Sequence, residues 1–387
     1  MGLYPLPGLK NLIKRLPIAH KPKNKILERE QDIAPSRVRN SVASEVLAHA
    51  QSFSKKLKLK RILQNLITQL VHNHFSVQAS YELFRYSPDI YHYRCAFGLG
   101  SLKVAEKLNA IKLCDHSIAH PFHIQFLIDN NGHLPASSAS DSAQFKESSL
   151  ACMKRDLDDA DHIVVNSFFV KRSLEAAGIS SSRITVIELC VDQRIMQYSI
   201  SGFDLRPKLD SSSLMYAGGW IERKGVVPLA QAVELLKGNV KLRIAGASKD
   251  NVNSLCSEHR VNTEFLQPLG YLSRKDLAQE LLRSQIFVFP SFCEGYAKVI
   301  QEAMVCGCYI IATENSGFSL FPGAHGTLVR PGDPEQLAQA ISGAIANPLL
   351  NEYCKQNREV ALQRFSSKRY GDKMINLYQR LLHKSTH

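Results

Sequence analysis

The sequence predicts an α/β protein of two domains, each a parallel sheet covered by helices on both faces. From residue 88 onward, short β-rich runs alternate with amphipathic helical ones, the pattern of repeated βαβ units. The length of 387 residues exceeds one average domain and suits two. A stretch rich in Ser, Asp, Pro and Gly, residues 199–213, separates two such series and reads as the domain boundary.

Candidate strands are 89–93, 111–114, 162–166, 184–188, 214–217, 241–245, 265–268, 286–290, 309–312 and 327–329. Amphipathic stretches such as 226–236, 274–282 and 334–346 supply helices between them, and 366–382 follows the last unit as a lone helix. These bounds give an N-terminal domain over 1–203, a second domain over 204–365 and a C-terminal helical segment over 366–387. No internal repeat or low-complexity tract stands out.

Composition narrows the class. Hydrophobic content of 44% and charged content of 21% are those of a globular protein with ample core. No apolar run reaches the roughly 18 residues that a membrane span needs. The first residues lack an apolar core followed by a small-residue cleavage site, which argues against a secretory signal. Nine scattered cysteines without a C-x-x-C pair argue against a zinc site or a disulfide framework. A reducing, cytoplasmic location is the expectation.

The net charge of +13 is unevenly spread. Residues 1–75 hold 14 Lys/Arg against four acids, a net +10. No helix-turn-helix, RNA-binding or zinc-finger pattern accompanies this arm, so nucleic acid is not the expected partner. Residues 53–63 mix basic and apolar side chains, which suits either a solvated basic helix face or contact with an anionic membrane surface.

In open α/β sheets ligands bind beyond the carboxyl ends of the strands, so the residues after each run matter most. After 286–290 comes Ser291-Phe292-Cys293-Glu294-Gly295-Tyr296, then a helical run over 297–306. Gly295 permits close backbone approach, and the N–H groups opening the helix suit a diphosphate. Glu302 lies further along the same helix, placing a second carboxylate on the far side of such a group. Taken singly, Glu294 also fits a helix cap and Glu302 a solvated acid.

After 214–217 comes Gly218-Gly219-Trp220-Ile221-Glu222-Arg223-Lys224-Gly225, where two glycines and a basic pair suit a phosphate clamp. After 111–114 comes Asp115-His116-Ser117-Ile118-Ala119-His120-Pro121-Phe122-His123. Its three histidines lack zinc spacing. Asp115 is a candidate to orient a neighbouring imidazole.

The ordered set formed by residues 286–307, 309–313 and 326–333 resembles glycosyltransferase family 4. The likeness extends to Asn347-Pro348, to Arg364-Phe365-Ser366, and earlier to 158–167 and 186–192, covering roughly 85–382. The resemblance implies a GT-B fold: two Rossmann-like domains facing across a cleft, with a C-terminal helix packing back. It gives Glu294 to the donor sugar and Glu302 to the ribose, with backbone amides of Gly295, Tyr296 and Ala297 near the diphosphate. Lys224 matches the lysine of the family's phosphate-binding turn. Gly219 stands where that turn has an arginine, so the contact is absent or supplied by Arg223. A histidine facing the donor is expected at His120, with His116 the other candidate. Ala297 and Lys298 depart from the more usual glycine and apolar residue, and Lys298 reads as a solvent-facing helix residue, with an added phosphate contact the alternative. The family's opening strand and Gly-rich loop are not visible in residues 1–45.

The implied activity is retaining transfer of a sugar, of hexosyltransferase type. The donor is a nucleotide sugar, and the acceptor a glycan, a lipid-linked compound or a small molecule. Neither metal nor cofactor is expected, and the inner membrane face is a candidate place of work. A non-catalytic or weakly active nucleotide- or membrane-binding protein and a nucleotide-sugar epimerase are the alternatives.

Overall fold

The computed structural model describes residues 61–120, 147–202 and 210–385. The basic arm up to Lys60, the expected divergence of residues 1–45, and His123 lie outside the described residues.

Strands β1 (Ile90–Arg94), β2 (Ile111–His116), β3 (His162–Val165) and β4 (Ile184–Val186) form a parallel sheet in that order. Consecutive order with right-handed crossovers sends the connecting helices to one face. The other face is covered by the C-terminal helix Ser367–Ser385, whose Met374, Leu377 and Leu381 pack with Leu113, Val164 and Ile187. The helix is anchored at its approach: Glu188 pairs with Arg364 at 2.7 Å, and the Val191 amide donates to the Phe365 carbonyl at 3.1 Å.

Strands β5 (Ser213–Ala217), β6 (Lys241–Ala245), β7 (Leu266–Gly270), β8 (Ile286–Phe289), β9 (Tyr309–Ala312) and β10 (Gly326–Leu328) form a second parallel sheet. Its order is β10-β9-β8-β5-β6-β7. β8 and β9, reading IFVF and YIIA, are buried at every position, as strands covered on both faces must be. All ten expected strands are present, with bounds moved by one or two residues. Residues 199–202 of the expected boundary belong instead to the helix Gln193–Gly202, and 203–209 lie outside the described residues.

Among the described residues, 61–88 and Phe97–Ala110 form a smaller compact unit. In it the helix Arg61–Tyr86 packs on the helix Gly100–Lys107. The buried Ser76 hydroxyl accepts the Ser101 amide at 3.0 Å, closing one of the orphan donors at the start of the second helix.

Gly225 joins the basic turn after β5 to the helix Val226–Leu235 at φ +69°. A Cβ there would lie 1.9 Å from the Pro290 carbonyl oxygen at the end of β8. Both the left-handed backbone and the missing side chain are required. Gly225→Ala is expected to cost about 2–4 kcal/mol, read as a lowered midpoint in thermal or denaturant unfolding; an unchanged midpoint would refute the assignment.

Candidate functional site

The second sheet reverses direction between β5 and β8. From β5 the chain moves outward through β6 and β7, then returns to β8 and moves the other way through β9 and β10. Loops leaving β5 and β8 therefore diverge and open a crevice at their carboxyl ends, the usual ligand position in such sheets. Both sequence motifs follow these two strands.

The structure brings Glu294, Arg223 and Lys224 together. Glu294 Oε1 accepts from Arg223 Nη1 at 2.7 Å and from Ser291 Oγ at 3.1 Å, and it lies 2.5 Å from Lys224 Nζ. Arg223 Nη1 also donates to the Cys293 carbonyl at 2.6 Å, while the Arg223 carbonyl accepts the Phe292 amide at 3.0 Å. The basic turn after β5 is thus bonded by side chain and backbone to the loop after β8. Lys224 sits 5.3 Å over the Phe289 ring. Burial lowers its pKa from the usual 10.5, against the opposing pull of the Glu294 charge.

Gly295 lies where two loops meet. A Cβ on it would fall 1.5 Å from the Ser117 carbonyl oxygen, in the segment after β2. Its own carbonyl accepts the Ser167 hydroxyl, just beyond β3, at 2.7 Å. The Ala297 amide donates to the Ser316 carbonyl at 2.9 Å. The Ala297 amide, expected near the diphosphate, is thus engaged within the protein, whereas among the described residues the amides of Gly295 and Tyr296 carry no such bond. The Tyr296 hydroxyl contacts Gln301, whose side-chain amide also donates to the Leu189 carbonyl at 2.7 Å. The helix Lys298–Val305 starts at Ala297 without a side-chain cap, leaving its first N–H groups for a ligand.

Glu302 is 2% exposed, which corrects its reading as a solvated surface acid. Its two oxygens accept from Arg274 Nη1 at 2.9 and 3.1 Å, and Arg274 Nε lies 3.4 Å from Asp192. Burial raises the Glu302 pKa; Arg274 opposes the shift and Asp192 adds to it. A cavity of about 320 Å³ opens beside it, lined among others by Gly218, Gly246, Tyr271, Arg274, Lys298 and Glu302. That volume is of the order of small-molecule sites. The Gly218 amide donates to the Ala245 carbonyl at 2.9 Å. The Gly219 carbonyl accepts the Tyr216 hydroxyl at 2.8 Å, and the space where its Cβ would be is open.

The candidate histidines are placed differently. His116 is buried, its Nε2 has no hydrogen-bond partner among the described residues, and it lies beside Cys95. His120 is buried, its amide donating to Ser173 Oγ at 2.9 Å. Asp115 does not orient His116. Strand alternation puts the two on opposite faces, and Asp115 instead pairs with Arg94 at 2.9 Å.

Sequence reading missed Arg274, Asp192, Gly246 and Ser167. Arg274 opens a predicted helix directly after a predicted strand, a position where strand-end chemistry was worth seeking. Its bond to Glu302 spans 28 residues and carries no local signal. Among the described residues, no three His, Cys, Asp or Glu side chains converge as metal ligands.

Two outcomes follow from this geometry. Gly295→Ala should lower both the unfolding midpoint and ligand affinity, because backbone rather than a flexible side chain blocks the new methyl group. Glu302 has a raised folded pKa, so its ionisation subtracts stability as pH rises from its unfolded value of 4.5 through the folded one. Glu302→Gln should therefore be the more stable protein at pH 7. Thermal melts across pH should show that advantage shrinking toward pH 4.5, and a constant or inverted gap would contradict it.

Residues 211–347 match the family model described as Glycosyl transferases group 1. The chain is similar to O-antigen chain mannosyltransferase B of Escherichia coli, 25% identical over 173 residues that cover 43% of this chain and 45% of that protein. It spans 33–52% of the length of the first curated relatives it matches. Among solved structures it is similar to sucrose-phosphate synthase from Thermosynechococcus elongatus, with TM-score 0.61, 21% identity, and coverage of 81% of this chain and 79% of that one. It is also similar to Anabaena HepE in complex with UDP and glucose, with TM-score 0.57, 15% identity, and coverage of 78% and 80%. These structural likenesses are of fold: α/β, with two parallel sheets in the GT-B arrangement. The matched segment is the one that carries the Lys224 turn, the Glu294 loop and the cavity, and over it the chain is similar to the glycosyl transferases group 1.

Proposed function

We propose that this protein is a retaining glycosyltransferase that moves a sugar from a nucleotide-sugar donor to a glycan, lipid-linked or small-molecule acceptor. The observation that carries the reading is the meeting of Glu294 with Arg223 and Lys224 at the point where the sheet reverses, one helix away from a cavity ending in buried Glu302. That arrangement supplies cations for a diphosphate and carboxylates for sugar hydroxyls. The similar HepE structure holds UDP and glucose, which supports a nucleoside diphosphate as the donor's leaving part.

In this reading the nucleoside enters the cavity and its ribose hydroxyls donate to Glu302. The diphosphate rests against Lys224, Arg223 and the start of the helix Lys298–Val305. As the glycosidic bond lengthens, negative charge grows on the departing diphosphate and those groups stabilise it in place. Glu294 accepts from the donor sugar's hydroxyls. The acceptor hydroxyl attacks from the face the diphosphate leaves and passes its proton to the departing diphosphate oxygen, so the anomeric configuration is kept. Positioning and electrostatics supply most of the acceleration, and no strong protein base is required. His120 remains the histidine proposed to face the donor, with His116 the less favoured because its imidazole lies beside Cys95.

Acceptor contacts and any anchoring to an anionic membrane surface are proposed for the N-terminal region. Among the described residues no helix is long and apolar enough to cross a membrane. The open space at Gly219 favours one rival, a protein that binds the nucleotide but transfers slowly.

Glu294→Ala and Lys224→Ala should each lower transfer by about 100-fold or more while far-UV circular dichroism stays that of the wild type. Full activity in either would sink the assignment. A thermal-shift series with UDP-, GDP- and ADP-sugars should raise the melting temperature with one donor, since a ligand at 100 times its Kd adds about 2.7 kcal/mol. Donor binding without transfer to any acceptor tried would favour the slow binder. Free sugar or epimer formed without acceptor would favour the epimerase.

A further inference from the structure

The charged side chains at this edge of the second sheet divide unevenly, and of the cations only Arg274 and Lys298 line the cavity itself. Arg223 and Lys224 are both committed to Glu294. Arg274 is committed to Glu302 and Asp192. Lys298 also lines the cavity, is exposed, and makes no hydrogen bond or ion pair among the described residues, although its charge acts on the Glu302 carboxyl, behind those of Arg274 and Asp192. It stands one helical turn before Glu302, so both side chains project from the same helix face toward the same space. Across the cavity lie Gly218 and Gly246, whose backbones close that wall without side chains of their own. The neighbouring Gly219 has open space beside it. A flexible four-carbon arm carrying one uncommitted positive charge therefore faces a wall that offers backbone and room but no cation.

We propose that Lys298 binds the diphosphate of the donor, as the one cation lining the cavity that, among the described residues, is in no ion pair. The inference rests on the nucleotide-sugar reading above and adds a residue to it. It takes up the second of the two sequence readings of Lys298: the side chain is exposed, and the space it borders is the cavity. Arg223 and Lys224 must share their charge with Glu294 when an anion arrives, whereas Lys298 gives up no partner. Its contribution should be the more purely electrostatic one, and therefore the more sensitive to salt.

The test is calorimetric titration of the full-length wild type, Lys298→Ala and Lys298→Arg with uridine, UMP and UDP, and with guanosine, GMP and GDP. In the wild type, affinity should rise from nucleoside to diphosphate in one of the two series. Lys298→Ala should lose about tenfold of that rise, bind the nucleoside as the wild type does, and show a weaker dependence of diphosphate affinity on salt. Lys298→Arg should keep most of the rise. An alanine variant that binds the diphosphate as tightly as the wild type overturns the proposal. So does one that loses nucleoside and diphosphate affinity equally, since Lys298 would then be only a wall of the cavity. A wild type whose affinity is the same for nucleoside and diphosphate in both series overturns the nucleotide-sugar reading as well. Lys298 is exposed, so all three proteins should melt alike without ligand, and the titrations report binding rather than folding.

Discussion

The Glu294 carboxylate sets the geometry of the second domain's ligand edge. One of its oxygens receives Arg223, Lys224 and Ser291. These groups come from the turn after β5 and the loop after β8, the two segments that border the reversal in strand order. Bringing a lysine and a glutamate out of water separately would be costly, and each alone would tend to neutralise. Together they hold both loops at the crevice, and backbone bonds from Arg223 to the same loop fix the register. Gly225 then has to be a glycine, because the turn passes against the Pro290 carbonyl.

That arrangement bears on how a donor could enter. Each carboxylate has basic partners in the structure: Glu294 has Arg223 and Lys224, and Glu302 has Arg274. A nucleotide sugar carries both kinds of complement, anionic oxygens for the cations and hydroxyl donors for the carboxylates. Entry is then an exchange of partners in which no buried charge need be left uncompensated. The sign of the Glu302 shift fits this account. Burial disfavours its charged form although Arg274 is in contact, so the charge is held against a desolvation cost that hydroxyl donors would reduce. Residues with perturbed ionisation in a crevice are often functional for this reason.

Much of this was legible in the sequence, and the exceptions have physical causes. The ten strands could be read because buried parallel strands form apolar runs bounded by turn residues. Glu294, Arg223 and Lys224 could be read because their motifs directly follow predicted strands. The bond joining them could not, since it depends on β5 and β8 being neighbours in the sheet although 68 residues separate Arg223 from Ser291. Arg274 was invisible for the same reason. The Ala297 amide was assigned to a ligand because the opening amides of a helix usually lack partners; here the Ser316 carbonyl supplies one. Asp115 and His116 were linked because they are adjacent, yet adjacency in a strand puts side chains on opposite faces. Their separation follows from strand geometry alone, given a strand that continues two residues beyond its apolar run.

The Arg274 bridge extends the same logic beyond one sheet. Asp192 begins the segment that leaves the first sheet, Glu302 belongs to the helix after β8, and one guanidinium touches both. Gly295 makes a second crossing of this kind, against the Ser117 carbonyl and under the Ser167 hydroxyl. The two carboxylates proposed to hold the donor are thus each next to a contact with the first sheet's connections, one made by a side chain and one by backbone. A ligand that draws Glu302 away from Arg274 would alter the first contact, while a ligand at the Gly295 loop would meet the second without breaking it. The end proposed for the ribose is therefore the end coupled through exchangeable charge, and the end proposed for the sugar the one fixed by packing.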